Sequence, residues 1–513
     1  MKKLKVVLWF VIFILSVVLG EKLFMNEKVK SNVLRVAFPS QQSFKRYEPT
    51  NISLDYEYIL LENIYSPLVE LDKNGSIEPG VAEKTEWIGD ELKLSIRSNL
   101  KTKSGQTITA EDVLFSLKRI LVLSANTHGN FKDIVCPGID LKSIEQECAG
   151  LRTDGNDVFI KAIGGKTFLL PMLSAIDFAV IPRSSVDRQT LQIVNYAETS
   201  GVYFIEKQDS EGKIYLKMNP HHYRASQDTA SEIILVPTQK EDLNSSFKML
   251  KEGLVDHLTT VDQSRIDQVI QFVQDHKNEY SGHMTQKIRV SFLLFTEKGM
   301  KELSIAEREY INSNITEAFK QIYKDKNGFN PRAEFFPQGS EGSLTKEQTI
   351  KLSEQNKSGS TKLNKKFKLG LVKAGDLEMW TKPIADRLPT AEMYRENNLP
   401  EFKEYKNEDD QPHAVISATD TGFLEDISLV TYSLNAGLFG MSKAERQKWL
   451  ALYMSNDNKQ ARIAMIKQVH FDALMSSQLV PLMSFPYTAL VRKPWKLELS
   501  DLYANNQFWR IKK

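Results

Sequence analysis

The segment Ser104–Arg119 constrains the fold of this chain more than any other stretch. It runs SGQTITAEDVLFSLKR, a polar turn followed by an amphipathic helix. Thr109 suits the N-cap position, and Asp112 three residues later is a weaker form of the capping-box glutamate. The apolar residues that follow recur at helical spacing and form one stripe: Val113, Leu114, Leu117, Ile120 and Leu121. The residues alone therefore predict a well-started helix with one buried face.

The same segment resembles a signature of the extracellular solute-binding proteins of the oligopeptide/dipeptide class. That signature has the form Gly-x-x-(apolar)-Thr-Ala-Glu-Asp-Val-x-(Phe/Tyr)-Ser-x-x-Arg, and residues 105–119 match it position by position. Two flanking motifs agree in order, Leu68–Asp72 with Gly75 and Glu78–Glu83 with Trp87. The resemblance covers nearly all of residues 33–513.

Length and charge place broad limits on the function. A chain of 513 residues is long enough to form more than one domain. After residue 20 it carries 64 basic and 65 acidic side chains. This balance provides no electrostatic basis for binding nucleic acid.

The first twenty residues are typical of a secretory signal peptide. Lys2, Lys3 and Lys5 precede an uncharged run of fourteen residues, Val6–Leu19, which is shorter than the about twenty residues of a membrane-spanning helix. An uncleaved signal anchor is the alternative. No cysteine follows the run, so no lipid anchor is expected, and the sequence favours a soluble protein of a Gram-negative periplasm.

The chain has two cysteines, Cys136 and Cys148, twelve residues apart. In an exported protein they are expected to form a local disulfide. A loop of this size would stabilise the fold by roughly 3 kcal/mol in the chain-entropy estimate. Two buried free thiols are the alternative.

The resemblance implies a two-lobed α/β periplasmic-binding-protein fold. Crossing hinge strands would join the lobes, and an additional α/β subdomain would be inserted in the first lobe. The expected division is a signal peptide at 1–20, a first lobe built from 33–70, 190–260 and 480–513, the inserted subdomain at 71–189, and a second lobe at 261–479.

Local patterns predict particular elements. The clearest are a helix over Ile305–Tyr323 and a strand over Phe367–Val372. Pro383 is predicted at the first position of a short helix that ends at Arg387. The remaining predictions are a helix over Glu392–Asn397 and loop-like stretches over 125–156 and 339–366.

The resemblance also implies a ligand cleft between the lobes, in which a carboxylate holds the amine of a peptide. In peptide-binding relatives this carboxylate is an Asp that follows a second-lobe strand and is preceded by Trp and Ala. Ala418-Thr419-Asp420 matches best, so Asp420 is predicted to bind the amine, with Asp426 as the competing position. A turn-capping role for Asp420 is the alternative. No Trp precedes Asp420, so one wall of the first ligand pocket differs from that of the relatives.

Four aromatic residues are further candidates for the cleft. Phe131 occupies the position of a first-lobe aromatic in relatives. Tyr56 and Tyr58 are included by analogy, and Trp380 could line the second lobe. Ordinary packing roles are the alternatives for Phe131 and Trp380.

No cofactor and no metal site are predicted. His221 and His222 are adjacent in sequence, and neighbours in a strand point to opposite faces, so they make a poor chelating pair. The sequence contains no Gly-x-Ser-x-Gly, Walker or His-Glu-x-x-His motif. We therefore expect a protein that is not an enzyme.

The function implied by the resemblance is that of the substrate-capturing component of a peptide-importing ABC transporter. Such a protein would be a monomer that closes around a peptide or peptide-like solute and delivers it to a permease in the inner membrane. Two alternatives stay open: a scaffold repurposed as an envelope sensor or adaptor, and a carrier of a non-peptide solute. A hydrolase ranks behind these because no nucleophile and base are recognisable.

Overall fold

The computed structural model describes most of the chain. The described ranges are 32–38, 47–52, 55–123, 129–163, 166–238, 245–260, 266–285, 289–326, 328–337, 340–355, 363–372, 377–403, 405–420, 427–497 and 507–513. The predicted signal peptide, residues 1–20, and the competing ligand position Asp426 lie outside these ranges.

The strands occur along the whole described chain. They are β1 (Val33–Phe38), β2 (Val69–Leu71), β3 (Ile77–Pro79), β4 (Ala82–Ile88), β5 (Glu91–Ile96), β6 (Leu151–Asp154), β7 (Asp157–Lys161), β8 (Tyr203–Gln208), β9 (Ile214–Met218), β10 (Glu232–Pro237), β11 (His257–Thr260), β12 (Tyr280–Met284), β13 (Arg289–Phe295), β14 (Asn330–Pro331), β15 (Phe367–Val372), β16 (Ala391–Glu396), β17 (Ala414–Asp420), β18 (Leu479–Phe485), β19 (Thr488–Arg492), β20 (Lys496–Leu497) and β21 (Ile511–Lys512).

The α-helices lie between these strands. They are α1 (Asp55–Ile64), α2 (Ala110–Leu123), α3 (Gly129–Val135), α4 (Lys166–Met172), α5 (Ser245–Lys251), α6 (Ile266–Asp275), α7 (Glu297–Glu302), α8 (Ile305–Tyr323), α9 (Lys346–Gln355), α10 (Leu377–Arg387), α11 (Ile427–Asn435), α12 (Lys443–Met454) and α13 (Lys459–Met475).

Seven strands form the first sheet, in the order β12-β19-β11-β1-β10-β9-β8. The central strand β1 is parallel to β10 and β11, whereas β19 runs antiparallel to both of its neighbours. Apolar residues from distant parts of the chain, among them Leu34, Leu60, Ile233 and Val491, pack into one core beside this sheet.

Six strands form the second sheet, in the order β14-β18-β13-β17-β15-β16. Here β15 is parallel to β16 and β17, whereas β13 is antiparallel to β17 and β18. Helices α8 and α10 pack against each other. They contribute Phe319 and Ile384 to a core that also holds Leu369 and Ile416 of the sheet.

A four-stranded antiparallel sheet, β4-β5-β7-β6, occupies the chain between β1 and β8. Helix α2 packs against β6 and β7. Cys136 and Cys148 are joined by a disulfide, with Cα atoms 5.6 Å apart, in agreement with the sequence-based expectation. This sheet with α2, α3 and α4 is called the inserted subdomain below.

The polar side of α2 binds the chain that follows the inserted subdomain. The buried carboxylate of Asp112 accepts hydrogen bonds from the Thr109 N–H at 2.9 Å and from the Arg183 N–H at 3.0 Å. One turn later the Ser116 hydroxyl accepts from the Ile181 N–H at 2.8 Å. The predicted capping pair therefore exists, and the same carboxylate also fixes a distant segment.

Arg119 completes this polar stripe. Its side chain is 1% exposed, and its Nε donates to the Leu191 carbonyl at 2.8 Å. Its two terminal nitrogens donate to the carboxylate of Glu48, with Nη1 to Oε1 at 2.9 Å. Glu48 in turn accepts from the Thr50 N–H at 3.1 Å. The signature helix thus joins the first residues after β1 to the segment that returns from the inserted subdomain.

Several sequence-based element predictions are wrong. Pro383 lies inside α10, which begins six residues earlier at Leu377, because packing of Trp380 and Ile384 in the core stabilises the whole helix. Residues 391–396 form β16 and not a helix, because they pair along their length with β15. The two stretches predicted to be loop-like contain α3 and β6 in one case and α9 in the other.

Three buried histidines are neutral parts of the interior. The Nε2 atom of His470 accepts from the Phe335 N–H at 3.1 Å and its Nδ1 atom faces the Gly342 carbonyl at 3.2 Å, which fixes the tautomer with a proton on Nδ1. Burial lowers the pKa of His470 and of His222 to about 3. It lowers the pKa of His257 to about 4.

We expect replacement of Arg119 by Met to lower the free energy of unfolding by about 3–5 kcal/mol, because it leaves the Glu48 carboxylate partly buried without its cation. Urea denaturation of the purified protein measures this. Arg152→Met removes an exposed partner of Glu91 and is the control, with little expected change. A loss for Arg119→Met no larger than for Arg152→Met would contradict the role assigned to the buried pair.

We expect the free energy of unfolding to fall as the pH is lowered from 6.5 toward 4. The unfolded chain protonates its histidines near pH 6.5, whereas the three buried imidazoles stay neutral to about pH 4 or 3. Their contribution is complete above pH 6.5 and is lost at about 1.4 kcal/mol per pH unit for each group. Denaturation at several pH values should show a smaller slope for His470→Gln, while His221→Gln, at an exposed position, should keep the wild-type slope.

Candidate functional site: the gap between the two sheets

The described chain passes between the first and second sheets at two adjacent places. Strand β12 leads into β13, and β18 leads into β19. The two strands on each side are antiparallel partners: Met284 faces Thr488 in the first sheet, and Arg289 faces Phe485 in the second. We call residues 280–285, 289–295 and 479–492 the hinge ribbon.

Hydrogen bonds continue across the middle of the hinge ribbon. The Thr285 N–H donates to the Tyr487 carbonyl at 3.0 Å. The Tyr487 N–H donates to the Thr285 hydroxyl oxygen at 2.9 Å. Both residues are buried. The ribbon is therefore a paired connection from one sheet to the other rather than two independent linkers.

Both sheets turn the carboxyl ends of their parallel strands toward the hinge ribbon. In the first sheet, Thr260 at the end of β11 is the register partner of Thr488. In the second sheet, Asp420 at the end of β17 is the register partner of Arg289. In open α/β sheets, ligands bind outside the carboxyl ends of the strands. The gap between these two sheet edges is therefore the candidate ligand site.

Most of the connections that begin at these carboxyl ends lie outside the described residues. They are 39–46 after β1, 239–244 after β10, 261–265 after β11, 373–376 after β15 and 421–426 after β17. The described part of the site is therefore the hinge ribbon and the ends of the strands themselves.

Arg289 brings a positive charge to the hinge ribbon. Its guanidinium carbon lies 5.8 Å from the ring centroid of Phe485 and 5.9 Å from that of Tyr487, distances at which a cation is attracted to an aromatic face. No sequence pattern singles out Arg289, because a single Arg at the start of a strand belongs to no motif. Arg289 is the register partner of Asp420, the predicted amine-binding residue.

Two of the predicted ligand-binding aromatics are core residues. Phe131 is fully buried and packs edge-to-face on Phe178, with ring centroids 5.0 Å apart. The indole N–H of Trp380 donates to the Tyr323 hydroxyl at 3.1 Å, and its ring centroid lies 5.1 Å from that of Phe319. Phe131 has no exposed surface and Trp380 very little. Both side chains therefore pack in cores in this structure, and their predicted ligand roles stay predictions.

The other predicted site residues lie in separate elements. Tyr56 and Tyr58 are on α1, where Tyr58 is half-buried against the core of the first sheet. Asp420 is the last residue of β17 in the second sheet. The side chains of Tyr56 and Asp420 lie outside the described part of the structure, so the ligand roles of Tyr56, Tyr58 and Asp420 stay predictions.

Two cavities lie elsewhere in the second-sheet part of the chain. One of about 410 Å³ is lined by Glu396, Lys403 and Tyr405 beside β16. Another, of about 570 Å³, lies between α8 and the start of β18. Neither lining includes Thr285 or Tyr487. Both cavities are therefore separate from the crossing point of the hinge ribbon.

The described ranges contain neither a metal-binding cluster nor a membrane-spanning helix. No group of three or more His, Cys, Asp or Glu side chains there could hold a metal ion. No described helix combines the length and apolar character needed to cross a membrane.

Two α/β sheets joined by crossing strands, with strand ends facing a common gap, define a two-lobed solute-binding architecture. Residues 76–325 match the sequence model of the bacterial extracellular solute-binding proteins, family 5 Middle. This match is consistent with a family 5 extracellular solute-binding protein, the class that the signature predicted. The family and the fold are those of binding proteins and not of enzymes. No curated protein sequence gives a significant match.

Solved structures share this fold over nearly their whole length. NikA from Brucella suis in complex with Fe(III)-EDTA has a TM-score of 0.72, with 14% identity over 94% of this chain and 100% of that chain. The Escherichia coli murein tripeptide binding protein MppA gives 0.69, with 14% identity over 94% and 98% of the two chains. Haemophilus influenzae OppA in complex with RPPGFSPFR gives 0.68, with 14% identity over 94% and 99%. These similarities confirm the two-lobed α/β fold.

We expect Thr285→Val to weaken the hinge ribbon, because it removes the acceptor of the buried Tyr487 N–H. The cost should be about 1–3 kcal/mol in the free energy of unfolding, with faster amide hydrogen exchange at Tyr487. Thr285→Ser keeps the hydroxyl and is the matched control. Equal exchange rates at Tyr487 in the wild type and in Thr285→Val would show that this hydrogen bond does not hold the crossing together.

Proposed function

We propose that this protein captures a peptide or peptide-like solute in the gap between its two lobes and delivers it to an ABC importer. The observation that carries this proposal is the hinge ribbon, with the carboxyl ends of parallel strands facing it from both sheets. A ligand held there would contact both lobes at once. Rotation about the paired strands would then close the lobes around it.

The sequence assigns the first lobe to 33–70, 190–260 and 480–513, the inserted subdomain to 71–189 and the second lobe to 261–479. In the proposed division the two lobe boundaries move to the ends of β12 and β18, because β12 pairs in the first sheet and β18 in the second. The protein would act in the periplasm after removal of residues 1–20, and its closed form would be recognised by the membrane permease. The ligand would leave chemically unchanged.

The structural neighbours differ in the ligands that they bind. The structural neighbours include a murein tripeptide binding protein, an OppA complex with RPPGFSPFR and a NikA complex with Fe(III)-EDTA. A peptide is favoured here because the signature and its flanking motifs resemble those of the oligopeptide/dipeptide class. Arg289 and Asp420 are register partners at one sheet edge, and the proposal assigns them to the two oppositely charged termini of a zwitterionic ligand.

We expect a pool of short peptides to raise the melting temperature of the protein and to decrease its radius of gyration in small-angle X-ray scattering. Ligand binding to the closed form shifts the population toward it, which explains both effects. Metal chelates and amino acids are tested in parallel. If only metal chelates raise the melting temperature, the ligand is a chelate and not a peptide. An unchanged scattering profile with every solute class would contradict capture by lobe closure.

We expect Asp420→Asn to weaken binding of peptides with a free amino terminus by tenfold or more, because a fixed carboxylate that meets an ammonium contributes more than about 1.4 kcal/mol when partly desolvated. Isothermal titration with a free and an N-acetylated form of one bound peptide measures this. Asp426→Asn tests the competing position, six residues later in the chain. If Asp426→Asn causes the selective loss and Asp420→Asn does not, the amine-binding role belongs to Asp426.

A further inference from the structure

A direct contact joins the inserted subdomain to the second lobe, away from the hinge ribbon. Phe168 on α4 is 2% exposed although its helix lies in the inserted subdomain. Its ring stacks on that of Tyr453 from α12, with centroids 5.2 Å apart and planes inclined by 25°. The guanidinium carbon of Arg462 lies 4.9 Å from the centroid of the same ring. Phe168 is therefore held between two residues of the other lobe.

The residues that receive Phe168 are ordered by contacts within the second lobe. The ring of Tyr453 stacks on Phe168 and also on Trp449, and its centroid lies 5.1 Å from that of Trp449 with planes inclined by 13°. Arg462 donates from Nη1 to the Asn456 carbonyl at 2.8 Å. Tyr453 and Arg462 are fully buried. The second lobe thus presents a preformed socket, which we define as Trp449, Tyr453 and Arg462.

The inserted subdomain and the socket lie on opposite sides of the hinge ribbon in the chain. Helix α4 precedes β12 and β13 in the chain, and the socket lies between β13 and β18. Helix α4 also lies close to α11 of the second lobe. A rotation about the hinge ribbon that separates the lobes must therefore withdraw Phe168 from the socket.

We propose that Phe168 and its socket form a latch that stabilises the closed arrangement of the lobes and so sets part of the ligand affinity. This inference rests on the proposed closure about the hinge ribbon. Withdrawal of Phe168 exposes its ring and the face of Tyr453 on which it stacks, and it separates the Arg462 cation from the ring. Each of these losses raises the free energy of the open form relative to the closed form. The contact involves protein groups alone, so it acts in the same way for every ligand.

The test compares Phe168→Ala with the wild type by small-angle X-ray scattering in the absence of added solute. The variant should show a larger radius of gyration, because its closed form is destabilised. Its apparent affinity for any captured solute should be weaker by about tenfold, the equivalent of about 1.4 kcal/mol in the closed-to-open equilibrium. The loss should be similar for all ligands.

Phe178→Ala is the matched control, because Phe178 is an equally buried phenylalanine that packs on Phe131 inside the inserted subdomain. It should lower the melting temperature without changing the radius of gyration. From the other side of the latch, Tyr453→Ala should reproduce the effect of Phe168→Ala, and Tyr453→Phe should not. The double variant Phe168→Ala/Tyr453→Ala should be no more open than either single variant.

The scattering measurement needs no ligand, so failure of the latch and failure of the proposed function can be distinguished. Equal radii of gyration for the wild type and Phe168→Ala would overturn the latch, whatever the protein binds. A larger radius for Phe168→Ala, together with no response to any solute, would support the latch and contradict solute capture.

Discussion

The antiparallel pairing of the hinge ribbon is the constraint on which the rest of the structure depends. A single crossing strand would allow the lobes to twist relative to each other, whereas two hydrogen-bonded strands restrict the relative motion to bending. The Thr285 and Tyr487 hydrogen bonds keep the pairing intact where the chain leaves one sheet and enters the other. The carboxyl ends of the parallel strands can therefore face each other across a gap of defined geometry, which is what a ligand site shared by two lobes requires.

The signature around α2 has a structural role in this architecture. Asp112, Ser116 and Arg119 lie along one side of the helix, and each binds a segment that is remote in sequence. Glu48, the partner of Arg119, lies just after the connection that leaves the carboxyl end of β1. The motif that identifies the family thus acts on the candidate site indirectly, by anchoring one of the chain segments that border it.

The bounds of helices and strands could be predicted from the sequence where short-range signals dominate. Helix α8 has the predicted bounds Ile305–Tyr323 because a Ser304–Glu307 capping box starts it and a continuous apolar face follows. Strand β15 likewise has its predicted bounds. The failures at Pro383 and at residues 391–396 have one cause: pairing and packing with distant residues outweighed local propensity. The sequence could not distinguish a packing role from a ligand role for Phe131 and Trp380, since an aromatic residue has the same sequence signal in a core as in a cleft. Thr285, Arg289 and Tyr487 belong to no motif, and only the meeting of two distant strands brings them together.

The position of β19 in the first sheet has a consequence for the biosynthesis of the protein. This strand comes from residues 488–492, yet it lies inside the sheet, between β11 and β12. The first sheet therefore lacks an internal strand until residues 488–492 have been synthesised. Sheets assembled from segments so distant in sequence form slowly. A newly made polypeptide of this topology therefore keeps its first sheet incomplete, with the edges of β11 and β12 unpaired by β19, until that late strand is available.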